Sequence, residues 1–305
     1  MAHIKIGTRA SALALAQADA VAQLLRELGH TAELVPIKTC GDHVLDRPLH
    51  EIGSKGLFTE ELERALLSNA VDVAVHSLKD LPTELTRGLK VVAYMLPEDR
   101  RDVIITGGSA LADLRPGTVV GTSSLRRAAF IRAWRPDLEI APIRGNLLTR
   151  LEKWQKGQVD ALVLAAAGLL RMGRGHLITE YLDPERIVPS PGQGILAVEV
   201  GQHRSDLMPI AAALNDEPLQ VIAQTERAVL HELGSGCQVP LGAYAAWTDA
   251  DHMRVIVQAA SCDGRKMLRR TVECTRADSL AVGHALGRYL KSEGALALIA
   301  EMEGG

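Results

Sequence analysis

The chain has 305 residues, a formal net charge of -3, and a hydrophobic fraction of 47% against 23% charged. That is enough apolar side chain for two or three cores, which excludes a disordered chain. The near-neutral balance excludes a global field for a polyanion, and 3% aromatic content leaves few platforms for stacking single-stranded nucleic acid.

In chain order, Ile4-Lys5-Ile6 reads as a short strand and Gly7-Thr8-Arg9-Ala10-Ser11 as a turn, with Ser11 a helix N-cap. Leu13, Ala16, Ala20, Val21, Leu24, Leu25 and Leu28 share one helical face, which Gly29 ends. A strand is expected at 33–38, a loop at 43–56 and a helix at 58–67. The run Val71-Asp72-Val73-Ala74-Val75 has the pattern of a strand buried on both faces. It turns polar at His76-Ser77-Leu78-Lys79-Asp80, and Pro82 stops any regular continuation. A further strand follows at 89–95.

Residues 96–102 form a polar break suited to a crossing between lobes. Beyond it come strands at 103–106, 138–143 and 159–164, a strand then turn over 119–124, and helices at 125–134 and 147–155. Two short echoes link the halves. Ile6-Gly7-Thr8 matches Val120-Gly121-Thr122, and Val71-Asp72-Val73 matches Val159-Asp160-Ala161. Residues 183–200 read as a return crossing whose last strand rejoins the first lobe. From about 216 the pattern changes to a helix at 218–233, a strand ending at Trp247, and a hairpin of 253–261 and 266–274 turning at Asp263-Gly264. A helix at 277–292 completes it. The expected fold is α/β: two α/β lobes with a double crossing, plus a small α+β third domain. The expected domains are 1–96 with 195–215, 100–190, and 217–305.

In an open α/β sheet, ligands bind at the carboxyl ends of the strands. Lys79 and Asp80 sit at such an end, although a solvated turn has the same composition. Helix starts at Gly7–Ser11 and Gly121–Ser124 are expected to present free backbone N–H groups and hydroxyls to an anion. Arg126 and Arg127 lie in a first helical turn, where cations oppose the helix dipole. That conflict points to function. Arg9, Arg144, Arg150 and Arg171 add cations near other strand ends, as a ligand with several carboxylates requires. Four cysteines, Cys40, Cys237, Cys262 and Cys274, form no CxxC pair and have no histidine at ligand spacing, so no metal is expected. Cys237 lies between Gly236 and Gln238-Val239-Pro240, where a thiolate could be alkylated. There is no leader pattern and no run near the roughly 18 apolar residues of a membrane span, so a cytoplasmic protein is expected.

Taken together, Gly7-Thr8-Arg9-Ala10-Ser11, Lys55-Gly56-Leu57-Phe58, His76-Ser77-Leu78-Lys79-Asp80-Leu81-Pro82, Gly121-Thr122-Ser123-Ser124-Leu125-Arg126-Arg127, Arg144-Gly145-Asn146, Gly192-Gln193-Gly194 and Gly236-Cys237-Gln238-Val239-Pro240 resemble the porphobilinogen deaminase family. The resemblance implies two lobes like periplasmic binding proteins with an active cleft, and a third domain carrying the cofactor cysteine. It implies a dipyrromethane cofactor joined by thioether to Cys237, with porphobilinogen as the substrate. Four units are added one by one and released as hydroxymethylbilane. It makes Asp80 the catalytic carboxylate, with Lys79 beside it. It makes Arg9, Ser11, Lys79, Thr122, Ser123, Ser124, Arg126, Arg127, Arg144, Arg150, Arg171 and Gln193 the cofactor and substrate contacts, and puts Lys55 and Phe58 in a mobile loop. A monomer without nucleic-acid or membrane partners is implied as well. Ser54 and Ser235 stand where the family commonly has glycine, Lys5 where it has arginine, and Glu51 where lysine occurs. The competing expectation is a cytoplasmic carboxylate-binding protein of the periplasmic-binding-protein type.

Overall fold

The computed structural model describes residues 1–39, 59–234 and 240–300. Its first elements are β1 (His3–Arg9), α1 (Ala12–Glu27), β2 (Thr31–Ile37), α2 (Glu60–Leu67), β3 (Val73–Ser77) and β4 (Leu89–Met95). Next come β5 (Asp102–Ile105), β6 (Val119–Gly121), α3 (Leu125–Trp134), β7 (Glu139–Ala141), α4 (Leu147–Gln155), β8 (Ala161–Ala165), α5 (Ala166–Arg171), β9 (Glu180–Tyr181) and β10 (Leu196–Gly201). The chain continues through α6 (Met208–Ala212), α7 (Glu217–Leu233), β11 (Leu241–Trp247), β12 (His252–Ala260), β13 (Met267–Thr275), α8 (Ser279–Ser292) and α9 (Ala295–Ala300). Two compact units result: Met1–Glu98 with Gly194–Gln220, and Asp99–Gln193 with Val221 onward.

The first unit holds one sheet in the order β2-β1-β3-β10-β4. Its first three strands are parallel, and β10 runs antiparallel to both of its neighbours. The second unit repeats the scheme as β7-β6-β8-β5-β9, with β5 antiparallel to β8 and β9. In each sheet the fourth place belongs to the strand entered after the chain leaves the other sheet, which is the double crossing in topological form.

The two sequence echoes are one device built twice. Asp72 Oδ2 accepts from the Lys5 N–H at 2.8 Å, and the Asp72 N–H donates to the Lys5 carbonyl at 2.9 Å. Asp160 does the same with Val119, at 2.8 and 2.9 Å. Each aspartate therefore locks the strand it precedes to its parallel neighbour. Gly7 and Gly121 complete the device. A Cβ on either would lie 3.0 or 2.9 Å from the Cγ2 of Val71 or Val159.

Helix α1 is capped by Ser11, whose Oγ accepts from the Ala14 N–H at 3.3 Å. Its Ala18, Val21, Ala22 and Leu25 recur at helical spacing and pack on Ile4, Ile6, Val73, Val75, Val198 and Val200. Leu62 and Leu66 of α2 cover the opposite face with Val71, Ala74 and Leu89. Burial on both faces explains the continuous apolar run of β3, each large side chain contributing about 1.5–3 kcal/mol.

In the second unit Phe130 and Ile131 of α3 cover Ile104, Val120, Ala161 and Val163. Leu151 of α4 and Leu169 of α5 cover Val103, Ile105, Leu162 and Leu164. The remaining sheet of this unit is an antiparallel meander, β11-β12-β13. Its hairpin loop spans residues 261–266, wider than a two-residue turn, with Gly264 at φ +76°. A Cβ on Gly264 would sit 2.6 Å from the Ala133 nitrogen, and Arg132 Nη1 donates to the Cys262 carbonyl at 2.8 Å. Docking on α3 thus shapes the loop. The strand expected at 138–143 shortens to Glu139–Ala141, and its pairing with β6 ends at Gly121 and Ala141.

Candidate functional site

Strands β1 and β3 run side by side and parallel, so their carboxyl ends open together. A cavity there is lined by Arg9, Ser11, Leu13, Ala14, Gln17, Thr59, Val75, His76, Ser77 and Asp80. Asp80 closes a 3-10 turn, Leu78–Asp80, directly after β3. Leu78 anchors that turn. It is fully buried, and its N–H donates to the Ile195 carbonyl at 3.0 Å. Lys79 and Asp80 are consequently held half-buried at the strand end. Gln17 and Ser77 exchange side-chain hydrogen bonds of 3.1 and 3.3 Å across the floor. Beneath them, His76 Nε2 lies 3.0 Å from Glu199 Oε2, with the two side chains 3% and 0% exposed. Neither atom meets hydrogen-bond geometry, so proximity rather than alignment joins this pair.

The carboxyl ends of β6 and β8 in the second unit carry the other predicted residues. Ser124 caps α3 by accepting from the Arg127 N–H at 3.4 Å. Several polar groups of this helix start also have partners within the protein. The Thr122 N–H donates to Ala141, the Ser124 N–H donates to Thr122 Oγ1 at 3.2 Å, and Ser123 Oγ donates to the Ile143 carbonyl at 2.7 Å. Two of these groups are satisfied by neighbouring backbone and the Ser124 N–H by the Thr122 hydroxyl.

Arg126 and Arg127 share a protein partner that the sequence did not reveal. Both are buried, and both converge on Asp102, a fully buried acid at the start of β5. Arg126 Nη1 donates to Asp102 Oδ2 at 2.6 Å and to the Val188 carbonyl at 2.7 Å. Arg127 Nε and Nη2 donate to Asp102 Oδ1 at 3.0 and 2.8 Å. Burial by itself would raise the Asp102 carboxyl. Arg126 and Arg127, helped by hydrogen bonds from Arg126 and Gln193, overcome it and hold the group far below the usual carboxylate range. The conflict with the helix dipole is therefore resolved inside the protein. Gln193 belongs to the same network, its Nε2 donating to Asp102 Oδ1 and to the Arg100 carbonyl, both at 2.9 Å.

Arg144 and Arg150 flank the next helix start. Arg150 Nε donates to the Gly145 carbonyl at 2.8 Å, and Gly145 takes φ +112°. Arg144 keeps a buried Nη1 with no hydrogen-bond partner. A buried guanidinium nitrogen in that state suits a carboxylate acceptor. Arg171 ends α5, half-buried. Cys237, Lys55, Phe58, Ser54, Ser235 and Glu51 lie outside the described residues.

Three acids that are at most 1% exposed escaped the sequence reading. Asp102 looked like part of a polar linker, and only its place next to a strand of Val and Ile hinted at burial. Glu199 sits among apolar residues in Leu196–Gly201, a visible signal that was not used. Glu226, mid-helix in α7, accepts from Gly192 N–H at 2.7 Å, Ala245 N–H at 2.8 Å and Arg100 Nη1 at 2.7 Å. Burial pushes its carboxyl up against the pull of Arg100.

Sheet order and strand-end chemistry define a doubly wound α/β protein with cations and one exposed-side acid gathered at carboxyl strand ends. The porphobilinogen deaminase, dipyromethane cofactor binding domain model matches residues 4–209, and the porphobilinogen deaminase C-terminal domain model matches residues 221–292. Porphobilinogen deaminases from Syntrophomonas wolfei and Geobacillus kaustophilus are 41% and 46% identical to it. The first alignment covers 99% of both chains, the second 98% of this chain and 97% of the relative. A periplasmic substrate-binding protein from Coxiella burnetii superposes over 73% of this chain and 96% of its own, at 12% identity and a TM-score of 0.43. The chain belongs to the porphobilinogen deaminase family. It is an enzyme of porphyrin and tetrapyrrole biosynthesis that carries a dipyrromethane cofactor, and the rival reading as a carboxylate-binding protein falls. Among the described residues no helix is long and apolar enough to cross a membrane.

Proposed function

We propose that the chain is a transferase, a hydroxymethylbilane synthase, that joins four porphobilinogen molecules in turn and then releases the linear tetrapyrrole by hydrolysis. The observation that carries this reading is the cavity where Asp80 meets Arg9 and Ser11 at the ends of β1 and β3. Porphobilinogen loses ammonia as its aminomethyl C–N bond breaks, which leaves a cationic pyrrole. A new C–C bond then forms, and a proton leaves the attacked ring carbon. Asp80, a carboxylate on a fixed turn, stabilises the cation and takes up or returns the proton. Such acid–base help is worth about 10²–10⁴ in rate. Lys79, next to it, binds a substrate carboxylate.

Each pyrrole brings an acetate and a propionate. Arg9, Arg144, Arg150 and Arg171 match that charge in this reading, with Ser11, Thr122, Ser123 and Ser124 orienting the same groups. Arg126, Arg127 and Gln193 act from within, keeping the α3 start in place through Asp102. The buried, unpartnered Nη1 of Arg144 is what fits these residues to an acidic cofactor. Once attached through Cys237, the dipyrromethane supplies the primer that receives the first unit. The enzyme works as a cytoplasmic monomer.

The test is the intact mass of the purified protein beside a Cys237→Ser variant. A mass increment of two linked pyrroles in the parent only supports the reading. A parent that stays unmodified after incubation with porphobilinogen overturns it.

A further inference from the structure

The end of α7 and the middle of α8 bring two histidines and a glutamate together, outside the strand-end sites described above. His231, Glu232 and His284 each offer one ligand atom, and these atoms all lie within 4.8 Å of one another. His284 Nδ1 is 2.7 Å from Glu232 Oε1. The His231 and His284 rings meet edge to face, with centroids 5.8 Å apart and planes at 83°. The sequence expectation of no metal rested on cysteine spacing, and this cluster contains no cysteine.

Two glycines make the cluster rigid. A Cβ on Gly283 would lie 2.4 Å from the Thr225 carbonyl oxygen, and one on Gly287 would lie 2.7 Å from both Glu232 Cβ and the Val229 carbonyl oxygen. Only glycine at both places, one helical turn apart, lets α8 approach the backbone of α7 this closely. The separation between Glu232 and His284 is thus set by helix packing rather than by side-chain flexibility.

We infer that His231, Glu232 and His284 form a binding site for a borderline first-row dication of the Zn²⁺ type. Two imidazoles and one carboxylate are a familiar zinc donor set, with water in the fourth position. Bonds of about 2.0–2.1 Å at tetrahedral angles put ligand atoms about 3.3 Å apart. The 2.7 Å His284–Glu232 contact opens by only about half an ångström to admit the ion, which replaces the proton they share. His231 is exposed, and its ligand atom already lies within 4.8 Å of the other two. The site lies in the last turn of α7, where the helix dipole favours a cation. Arg288 opposes binding, since its Nη1 sits 3.2 Å from Glu232 Oε1. It is 60% exposed and can swing into solvent. A bound ion would staple α8 to the helix that ends at Leu233, four residues before Cys237.

The full-length protein, with its cofactor attached, is titrated with Zn²⁺ after chelator treatment, alongside His231→Gln, His284→Gln and Arg288→Gln. One Zn²⁺ per chain is expected, weakened at least about tenfold in either histidine variant. Arg288→Gln should bind roughly two- to fivefold tighter, because a competing cation is gone. X-ray absorption should show nitrogen and oxygen ligands alone. Binding that is absent, that ignores all three substitutions, or that shows sulfur ligands overturns the assignment. Circular dichroism of each variant separates lost binding from lost folding, and in a misfolded variant the absorption spectrum of the parent decides.

Discussion

The two five-stranded sheets have the same strand order, and each buries an acid on its inserted fourth strand, but the two acids are treated differently. Asp102 in the second unit meets two arginines and a glutamine, all within 3.0 Å. Glu199 in the first unit lies 3.0 Å from His76, and its carboxylate oxygens have no aligned hydrogen bond. Register explains much of this. Asp102 pairs with Ala165 at the last residue of β8, where the start of α3 can deliver two side chains. Glu199 pairs with Ala74, three residues back from the end of β3, where His76 of the adjacent strand lies beside it. Position along an identical ladder therefore decides whether a buried carboxylate becomes the anchor of a network or half of an isolated pair.

The largest effect is expected at neither of these acids. Asp80→Asn should lower turnover by about 10²–10⁴ while thermal unfolding stays unchanged, because the residue lies half-exposed at the end of its strand. Stopped-time assays of product absorbance beside calorimetry check both halves. A variant with near-normal turnover removes Asp80 from the chemistry.

Asp102→Asn should act in the opposite sense, costing about 3–5 kcal/mol of stability by leaving two buried guanidinium groups facing each other. Denaturant titration reads this directly. A pH dependence follows from the same group. Its folded-state carboxyl titrates far below the usual range, so the unfolded chain binds more protons. The stabilisation is complete above the unfolded value near 4 and is lost as pH falls below it toward the folded value. The slope of stability against pH in that acid window should shrink in Asp102→Asn, and an unchanged slope would sink the account.

Arg144→Gln should weaken substrate or cofactor engagement by about 1.5–3 kcal/mol, the worth of a charged hydrogen bond. Saturation kinetics on cofactor-loaded protein measure it, and an unaltered kcat/KM would show that the buried Nη1 serves no ligand. The smallest change is expected at Glu199→Gln, about 1 kcal/mol, since one poorly aligned contact is at stake and the amide keeps a hydrogen-bonding group beside His76. If this substitution costs as much as Asp102→Asn, the contrast between the two sheets fails.

Much of the fold was legible because local rules and tertiary structure agree. Helices 125–134 and 147–155 stand where cap residues Ser124 and Asn146 and the following apolar spacing place them. The Val71–Val75 run leads into a strand, Val73–Ser77, that is covered on both faces. The Asp72 and Asp160 echo, a faint match in sequence, is a repeated strand lock in space. Less legible were the polar groups. Arg126 and Arg127 carried a true signal, a cation pair in the wrong turn of a helix, yet the signal could not say whether the partner was a ligand or Asp102, more than twenty residues away. Likewise the histidines of α7 and α8 stand 53 positions apart, and nothing local relates them.

From sequence alone came the family, the order of strands and helices, and the residue types that gather at strand ends. These depend on periodicity, capping and motif, which are short-range properties of the chain. Tertiary structure alone decided which charges face inward, which acids are shared and which are isolated, and how closely α8 may approach α7. Those depend on burial and on contacts between residues distant in the chain, where removing water makes the nearest partner decisive.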